Sequence, residues 1–129
     1  MIIPNDMISH VGKIFQGEYA IGAMKEPYII DIGANVGGFA VSAHEYFDKP
    51  KIDCYEPIKE NFNLLRQNTA GTDIAIRNFA IGKDDGERQM YYGLNNCGEA
   101  SMFEGEEQAK EGELVKVMSA KNLPPCDIM

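Results

Sequence analysis

Along the chain, short runs of apolar and β-branched residues alternate with stretches whose apolar positions recur every three or four residues. Buried strands give the first pattern and amphipathic helices the second. Tyr28 to Ile32 (YIIDI) is nearly continuous in apolar residues, which predicts a central strand buried on both faces. Phe39, Ala40, Ala43, His44 and Phe47 then keep helical spacing up to Asp48-Lys49-Pro50, where the proline disfavours helix in the residue before it. Lys51 to Tyr55 (KIDCY) alternates and stops at Glu56-Pro57, a second strand with an acid at its carboxyl end. Ile58, Phe62, Leu65 and Thr69 share one face of a second helix over 58–69, and Ala70-Gly71 supplies its C-terminal glycine. Residues 73–80 (DIAIRNFA) restart the strand pattern before Gly82 and the turn-rich Lys83-Asp84-Asp85-Gly86. Ahead of all this, Asn5 or Asp6 can cap a short helix over 6–16 whose Met7, Ile8, Val11, Ile14 and Phe15 keep helical steps, a flank or lid.

Strands and helices alternating at these lengths imply βαβ units and an α/β fold. Its parallel sheet has right-handed crossovers and ligands bound at the carboxyl ends of the strands. The second half differs. Glu87 to Tyr92 and Leu114 to Ser119 read as strands with no amphipathic helix between them, separated by a segment from Gly93 to Gly112 rich in Gly, Asn and Glu. Within that segment Glu104-Gly105-Glu106-Glu107 reads as a solvated loop. At 129 residues the chain is expected to form one domain, 1–129, with 1–20 as a flanking helical segment.

Charge narrows the partners. A formal net charge of -8 and a pI near 4.7, with no basic stripe, disfavour nucleic acid and anionic membrane surfaces. No run approaches the ~20 apolar residues of a membrane span, and the N-terminus lacks the pattern of a secretory signal, so the expected location is cytoplasmic. Cys54, Cys97 and Cys126 match neither a disulfide framework nor a zinc site, and no other metal-ligand cluster stands out. Small molecules, cationic groups or other proteins remain as partners.

The chemistry concentrates between the first strand and its helix. Backbone N–H groups of a glycine-rich turn leading into a helix can meet a polar or anionic ligand group at close range. The dinucleotide fingerprint requires Gly-x-Gly-x-x-Gly, but from Gly33 the third position is Asn35; a P-loop fails for want of Gly-Lys-Ser/Thr. What remains is Asp31-x-Gly33-x-x-x-Gly37, with Asn35 able to take left-handed backbone angles nearly as glycine does. Glu56 follows 19 positions beyond Gly37, the distance at which a carboxylate in related folds accepts ribose hydroxyls.

Asp31-Ile32-Gly33-Ala34-Asn35-Val36-Gly37-Gly38 resembles motif I of class I S-adenosylmethionine-dependent methyltransferases. With Tyr55-Glu56-Pro57 downstream, the form DIGANVGGF is similar to the FkbM-type family in particular. Gly17-Glu18-Tyr19, Asn61-Phe62, Leu65 to Asn68, Asn78 to Gly82 and Gly98 to Ser101 agree, so the likeness spans about 17–129. The resemblance implies a Rossmann-like parallel sheet with flanking helices and S-adenosylmethionine as cofactor. It also implies methyl transfer to an oxygen of a small molecule or sugar. Gly33, Ala34, Asn35 and Gly37 would run along the methionine and ribose portion, with Asp31 at the amino acid end. Glu56, followed by Pro57, would hold the ribose, and Asn78, Phe79 and Ala80 would border the adenine. Other roles stay open: Asp31 as a helix cap, Glu56 as an exposed strand-end acid, Asn78 and Phe79 as turn and core residues. No catalytic residue is assigned; His44 reads as a packing or surface residue, and Ser101 resembles a position on the substrate side. Pro124 to Met129 resembles the start of the family's fourth core strand, so the fold is expected to be incomplete, with a raw sheet edge that favours self-association into a homo-oligomer. A noncatalytic cofactor-binding fragment or subunit needing a partner is the alternative, and a dinucleotide oxidoreductase a third.

Overall fold

A computed structural model of the chain describes residues 25–93, 96–101 and 111–129. The helix expected over 6–16, the Gly17-Glu18-Tyr19 stretch and the Glu104 to Glu107 run lie outside the described residues. Within them the chain is α/β. The order is β1 (Tyr28–Ile32), α1 (Gly38–Tyr46), β2 (Lys51–Tyr55), α2 (Lys59–Asn68), β3 (Ala75–Arg77), β4 (Ala80–Gly82), β5 (Gly86–Gly93), β6 (Asn96–Ser101), β7 (Glu111–Ser119) and a 3₁₀ turn (Ala120–Asn122).

The first three strands form a parallel sheet in the order β1-β2-β3. On the other edge of β1, Ile128 forms a parallel bridge to Ile29; Ile30 N–H donates to the Ile128 carbonyl at 2.9 Å and Asp127 N–H to the Tyr28 carbonyl at 2.8 Å. Register sorts the side chains onto two faces, because paired residues in a parallel ladder point the same way. Ile29, Ile52, Cys54 and Ile76 join Ala40, Ala43 and Phe47 of the α1 region and Phe62 and Leu65 of α2 in one apolar core. The opposite face carries a polar and aromatic set: Tyr28 Oη donates to Asp53 Oδ2 at 2.6 Å, Arg77 Nη1 lies 3.6 Å from Asp53 Oδ1, and the Lys51 ammonium sits 4.2 Å above the Tyr28 ring. Ile30 and Tyr55 on that face are also buried, so the centre of the sheet is covered on both sides, as the run YIIDI predicted.

Residues 73–80 do not form the single strand expected of them. β3 ends at Arg77, and β4 starts at Ala80 in a different sheet. The cause lies in the residues that follow the neighbouring strand, β2. Glu56 N–H donates to the Arg77 carbonyl at 3.0 Å, but the next donor on that side, Ile58 N–H, is taken by Glu56 Oε1, and Asn78 Nδ2 donates to the Glu56 and Pro57 carbonyls at 2.8 and 2.9 Å. With no backbone partner left, the chain leaves the sheet. It enters a second one, ordered β4-β7-β5-β6, in which β4 runs parallel to β7 and the remaining pairs are antiparallel. Ala80, Val115 and Val117 form its small core with Met90 against them. β6 lies inside the segment read as a turn-rich separator. Asn96–Ser101 (NCGEAS) carries no apolar alternation, and pairing with β5 makes it a strand.

α1 begins at Gly37, whose φ of 92° only glycine adopts easily, and a Cβ built there would stand 2.8 Å from Leu65 Cδ1 on α2. Gly37→Ala therefore combines left-handed strain with overpacking between turn and helix, and should cost about 2–4 kcal/mol in urea denaturation. The loss should be smaller on a Leu65→Ala background, where the clash is relieved, so that the two changes are not additive.

Candidate functional site

Between β1 and α1 the chain reverses from strand to helix within five residues, and Gly33, Asn35 and Gly37 have φ of 73°, 54° and 92°. These are the residue types that enter the left-handed region at least strain, as the sequence reading of Asn35 expected. The expectation that the turn offers its N–H groups to a ligand is not met. Gly33 and Ala34 N–H donate to the Tyr55 carbonyl at 2.8 and 3.0 Å, Asn35 N–H donates to Glu56 Oε2 at 2.8 Å, and Gly37 N–H donates to the Ala34 carbonyl at 2.9 Å. The turn closes on the end of β2 and spends these donors there. Asn68 of α2 adds a third tether, its Nδ2 donating to the Val36 carbonyl at 2.7 Å. The result is a rigid turn that offers few of the donors a phosphate group needs.

Glu56 stands at the centre of this arrangement. It is 4% exposed, which removes the reading of a solvated strand-end acid. Oε2 takes the Asn35 N–H, Oε1 takes the N–H of Ile58 at the start of α2 at 2.8 Å, and the Asn61 side chain adds a further hydrogen bond. Burial raises its pKa above the ordinary value, while the hydrogen bonds from Ile58, Asn35 and Asn61 pull the other way. A carboxylate oxygen accepts two hydrogen bonds, so the group retains capacity for a ligand donor.

Asp31 is the opposite case. In register with Cys54 it shares the helix-covered face, where the pattern otherwise places apolar residues. It does not cap α1, whose cap at Gly37 receives no side-chain hydrogen bond. Its Oδ2 is buried and has no hydrogen-bond partner. Burial, and secondly the charge of Glu56, pushes its pKa up to about 6 from 3.8. An orphaned buried carboxylate oxygen calls for a physical reason, and a missing ligand donor is one. Beside it, a Cβ placed on Gly33 would meet nothing within 4 Å, so the turn leaves open space next to the acid.

Of the other expected site residues, Pro57, Asn78 and Phe79 come together at a cavity of about 340 Å³ beyond the ends of β2 and β3. Ala80 does not join them, since it opens β4 and packs with Val115 and Val117. His44 Nε2 lies 3.0 Å from Asp73 Oδ1 at the surface of α1, consistent with its surface reading. Cys54 is buried and free, with its thiol pKa raised by burial; Cys126 is free and half-buried. The side chains of Ser101 and Cys97 and all of His10 lie outside the described residues. Among the described residues no group of three or more His, Cys, Asp or Glu is placed to hold a metal ion, and no helix is long and apolar enough to cross a membrane.

Sequence reasoning gave no site role to Asn61, Asn68 or Glu113. Asn61 and Asn68 fall one turn or more from the acid and the turn they support, and their polarity on a helix that packs against the sheet was a usable signal. Glu113 lines the cavity from β7, and nothing in its local pattern marks it.

The sign of the Asp31 effect follows from linkage. Its folded pKa is above the ordinary 3.8, so the fold holds the proton more tightly than the unfolded chain does. Stability from this group is intact below pH 3.8, falls as pH rises toward about 6, and stays lower above that. Asp31→Asn should therefore stabilise the chain by roughly 2 kcal/mol at pH 8 and flatten the decline between pH 4 and 6.5. Denaturation of both proteins across that pH range measures it; equal pH slopes would refute the assignment.

No protein-family model and no curated protein matches the chain, so what this site does rests on its own chemistry.

Proposed function

We propose that the chain is an S-adenosylmethionine-binding methyltransferase domain of the FkbM-like, class I type, Rossmann-like in fold, that transfers the methyl group to an oxygen of a small molecule or sugar. One observation carries this reading: the site offers acceptors rather than donors. The N–H groups of Gly33, Ala34, Asn35 and Gly37 are engaged, while Asp31 Oδ2 is unpartnered and Glu56 adjoins the turn. A dinucleotide brings a diphosphate that needs free N–H groups and repels carboxylates. An adenosyl sulfonium brings no phosphate. It carries an ammonium, a positive sulfur and two ribose hydroxyls, all suited to buried carboxylates.

The sheet supports the same reading. With Ile128 beside β1 on the edge away from β2, the lateral order runs β3, β2, β1 and then the last segment, the order of one half of a doubly wound sheet. In such sheets ligands sit outside the carboxyl ends of the strands, where Asp31, the turn and Glu56 lie. In this reading Glu56 accepts from the ribose hydroxyls and Asp31 holds the amino acid end. Gly33, Ala34, Asn35 and Gly37 lend their backbone surface to the methionine and ribose, and Pro57, Asn78 and Phe79 flank the adenine. Ala80 contributes only through the core behind. The bound sulfonium supplies the methyl group; in-line displacement then asks the chain chiefly for alignment, which the turn's tethers favour.

Calorimetry against S-adenosylhomocysteine and NAD at equal concentrations should give binding of the first and none of the second. Because a cation beside Asp31 favours its ionised form, affinity should rise as pH climbs through about 6, by at most ~10-fold per unit below that point, and level off above it. Asp31→Asn should abolish the pH dependence, and Glu56→Ala should weaken binding ~10–100-fold. Transfer of label from S-adenosylmethionine to a sugar or small-molecule hydroxyl separates an enzyme from the alternative, a cofactor-binding module that requires a partner; NAD binding in place of the homocysteine would overturn both.

A further inference from the structure

α2 begins just after Glu56, and its first turn is capped from outside the helix. The N-cap residue, Ile58, has no side-chain oxygen, and its N–H donates to Glu56 Oε1 at 2.8 Å. In a capping box the third helical residue is an acid or amide that reaches back to accept the N-cap N–H. Here Glu56 supplies that acceptor, and the third residue is Asn61. Its side chain forms a hydrogen bond with Glu56 instead. An ionised carboxylate can only accept, so the Asn61 amide is the donor. Asn61 is 5% exposed, beside Phe62 and Leu65 of the apolar core. A buried amide is unfavourable unless its hydrogen bonds are made, and a leucine would suit that packing better.

Two acids bear on the same carboxylate. Asp31 in β1 and Glu113 on β7 each oppose its charge. Against them stand Asn35 N–H on Oε2, Ile58 N–H on Oε1 and the Asn61 amide. The first two are backbone donors that any residue but proline supplies. Asn61 is the side chain among the three, so it is the support that a choice of residue controls.

We propose that Asn61 is a positioning residue of the cofactor site, whose amide orients the Glu56 carboxylate and holds it in the ionised form that accepts from ribose hydroxyls. The inference rests on the adenosyl reading above and adds to it a residue that acts through the acid rather than on the ligand. A protonated carboxyl gives up acceptor capacity to its own proton, and its remaining hydrogen bonds lose the assistance of the charge. With the Asn61 donor removed, burial and the two neighbouring acids are opposed by less, and Glu56 takes up a proton at higher pH.

The test is calorimetry with S-adenosylhomocysteine from pH 5 to 8.5 on an Asp31→Asn background, which removes the titration of Asp31. Asn61 is left intact or changed to Leu or Asp, and each protein is checked for its fold by circular dichroism. With Asn61 intact, affinity should be flat across the range. Asn61→Leu should weaken binding about 3–10-fold at pH 8.5 and add a decline toward pH 5 that approaches ~10-fold per unit. Asn61→Asp, which sets a third acid against Glu56, should start that decline about one pH unit higher still. A helix that is merely loosened lowers affinity alike at every pH, so the returning pH dependence in either variant decides. Asn68→Ala, which cuts the tether from α2 to the Val36 carbonyl, gives the comparison and should weaken binding with a flat profile. A folded Asn61 variant whose profile matches that of its Asp31→Asn parent overturns the role of Asn61 and leaves the cofactor reading standing. An unaltered chain that binds no S-adenosylhomocysteine overturns the cofactor reading, and this inference with it.

Discussion

The hydrogen bonds that Glu56 accepts from Asn35 N–H and Ile58 N–H hold the site together. One buried carboxylate ends β2, closes the glycine turn that follows β1 and receives an otherwise unpaired N–H at the start of α2. Taking that charge out of water is unfavourable, and the hydrogen bonds from Asn35, Ile58 and Asn61 offset the loss. Three segments distant in sequence are thereby fixed against one another at the carboxyl end of the sheet. The Tyr55 carbonyl, accepting from Gly33 and Ala34, does the same for the backbone. Without these contacts the turn would still need left-handed residues, but nothing would decide which way its open side faces.

Against that frame Asp31 is a liability that the fold does not require. Its position in β1 faces an apolar core, its Oδ2 has no partner, and its raised pKa means that ionisation at neutral pH works against folding. An alanine or valine there would suit the core. Groups retained at an energetic disadvantage are found where function, not stability, sets the residue. The pair of acids divides the work: Glu56 is anchored by the protein on both oxygens, shapes the site and keeps acceptor capacity to spare, whereas Asp31 is left with its Oδ2 free.

Much of this was legible in the sequence, and the reasons differ residue by residue. The run YIIDI and the spacing of Phe62 and Leu65 report burial directly, because a strand and a helix each repeat at a fixed period. Asn35 between two glycines reports left-handed backbone, since few other residues enter that region. Glu56 before Pro57 reports a strand end, and the sheet brings it to the turn. What pattern does not encode is where hydrogen bonds go. The donors of the turn were expected to face a ligand, but whether they do depends on the register that sets the Tyr55 carbonyl beneath them. The break after Arg77 likewise depends on an Asn78 side chain competing for carbonyls on another segment. β6, with no apolar alternation, becomes visible only through its partner.

The position of that break explains why residues of two sheets line one cavity. If β3 continued past Arg77, Asn78 and Phe79 would be ladder residues with side chains on alternate faces and no pocket beside them. Instead, Glu56 Oε1 takes the Ile58 N–H, Asn78 Nδ2 donates to the Glu56 and Pro57 carbonyls, and the chain is carried across to pair with β7. That detour brings Glu113 and Val115 of β7 to the same cavity as Pro57 and Phe79. The contacts that end one sheet thus determine what the second sheet places beside it, and the cavity lined from β7 follows from a glutamate and an asparagine 22 positions apart.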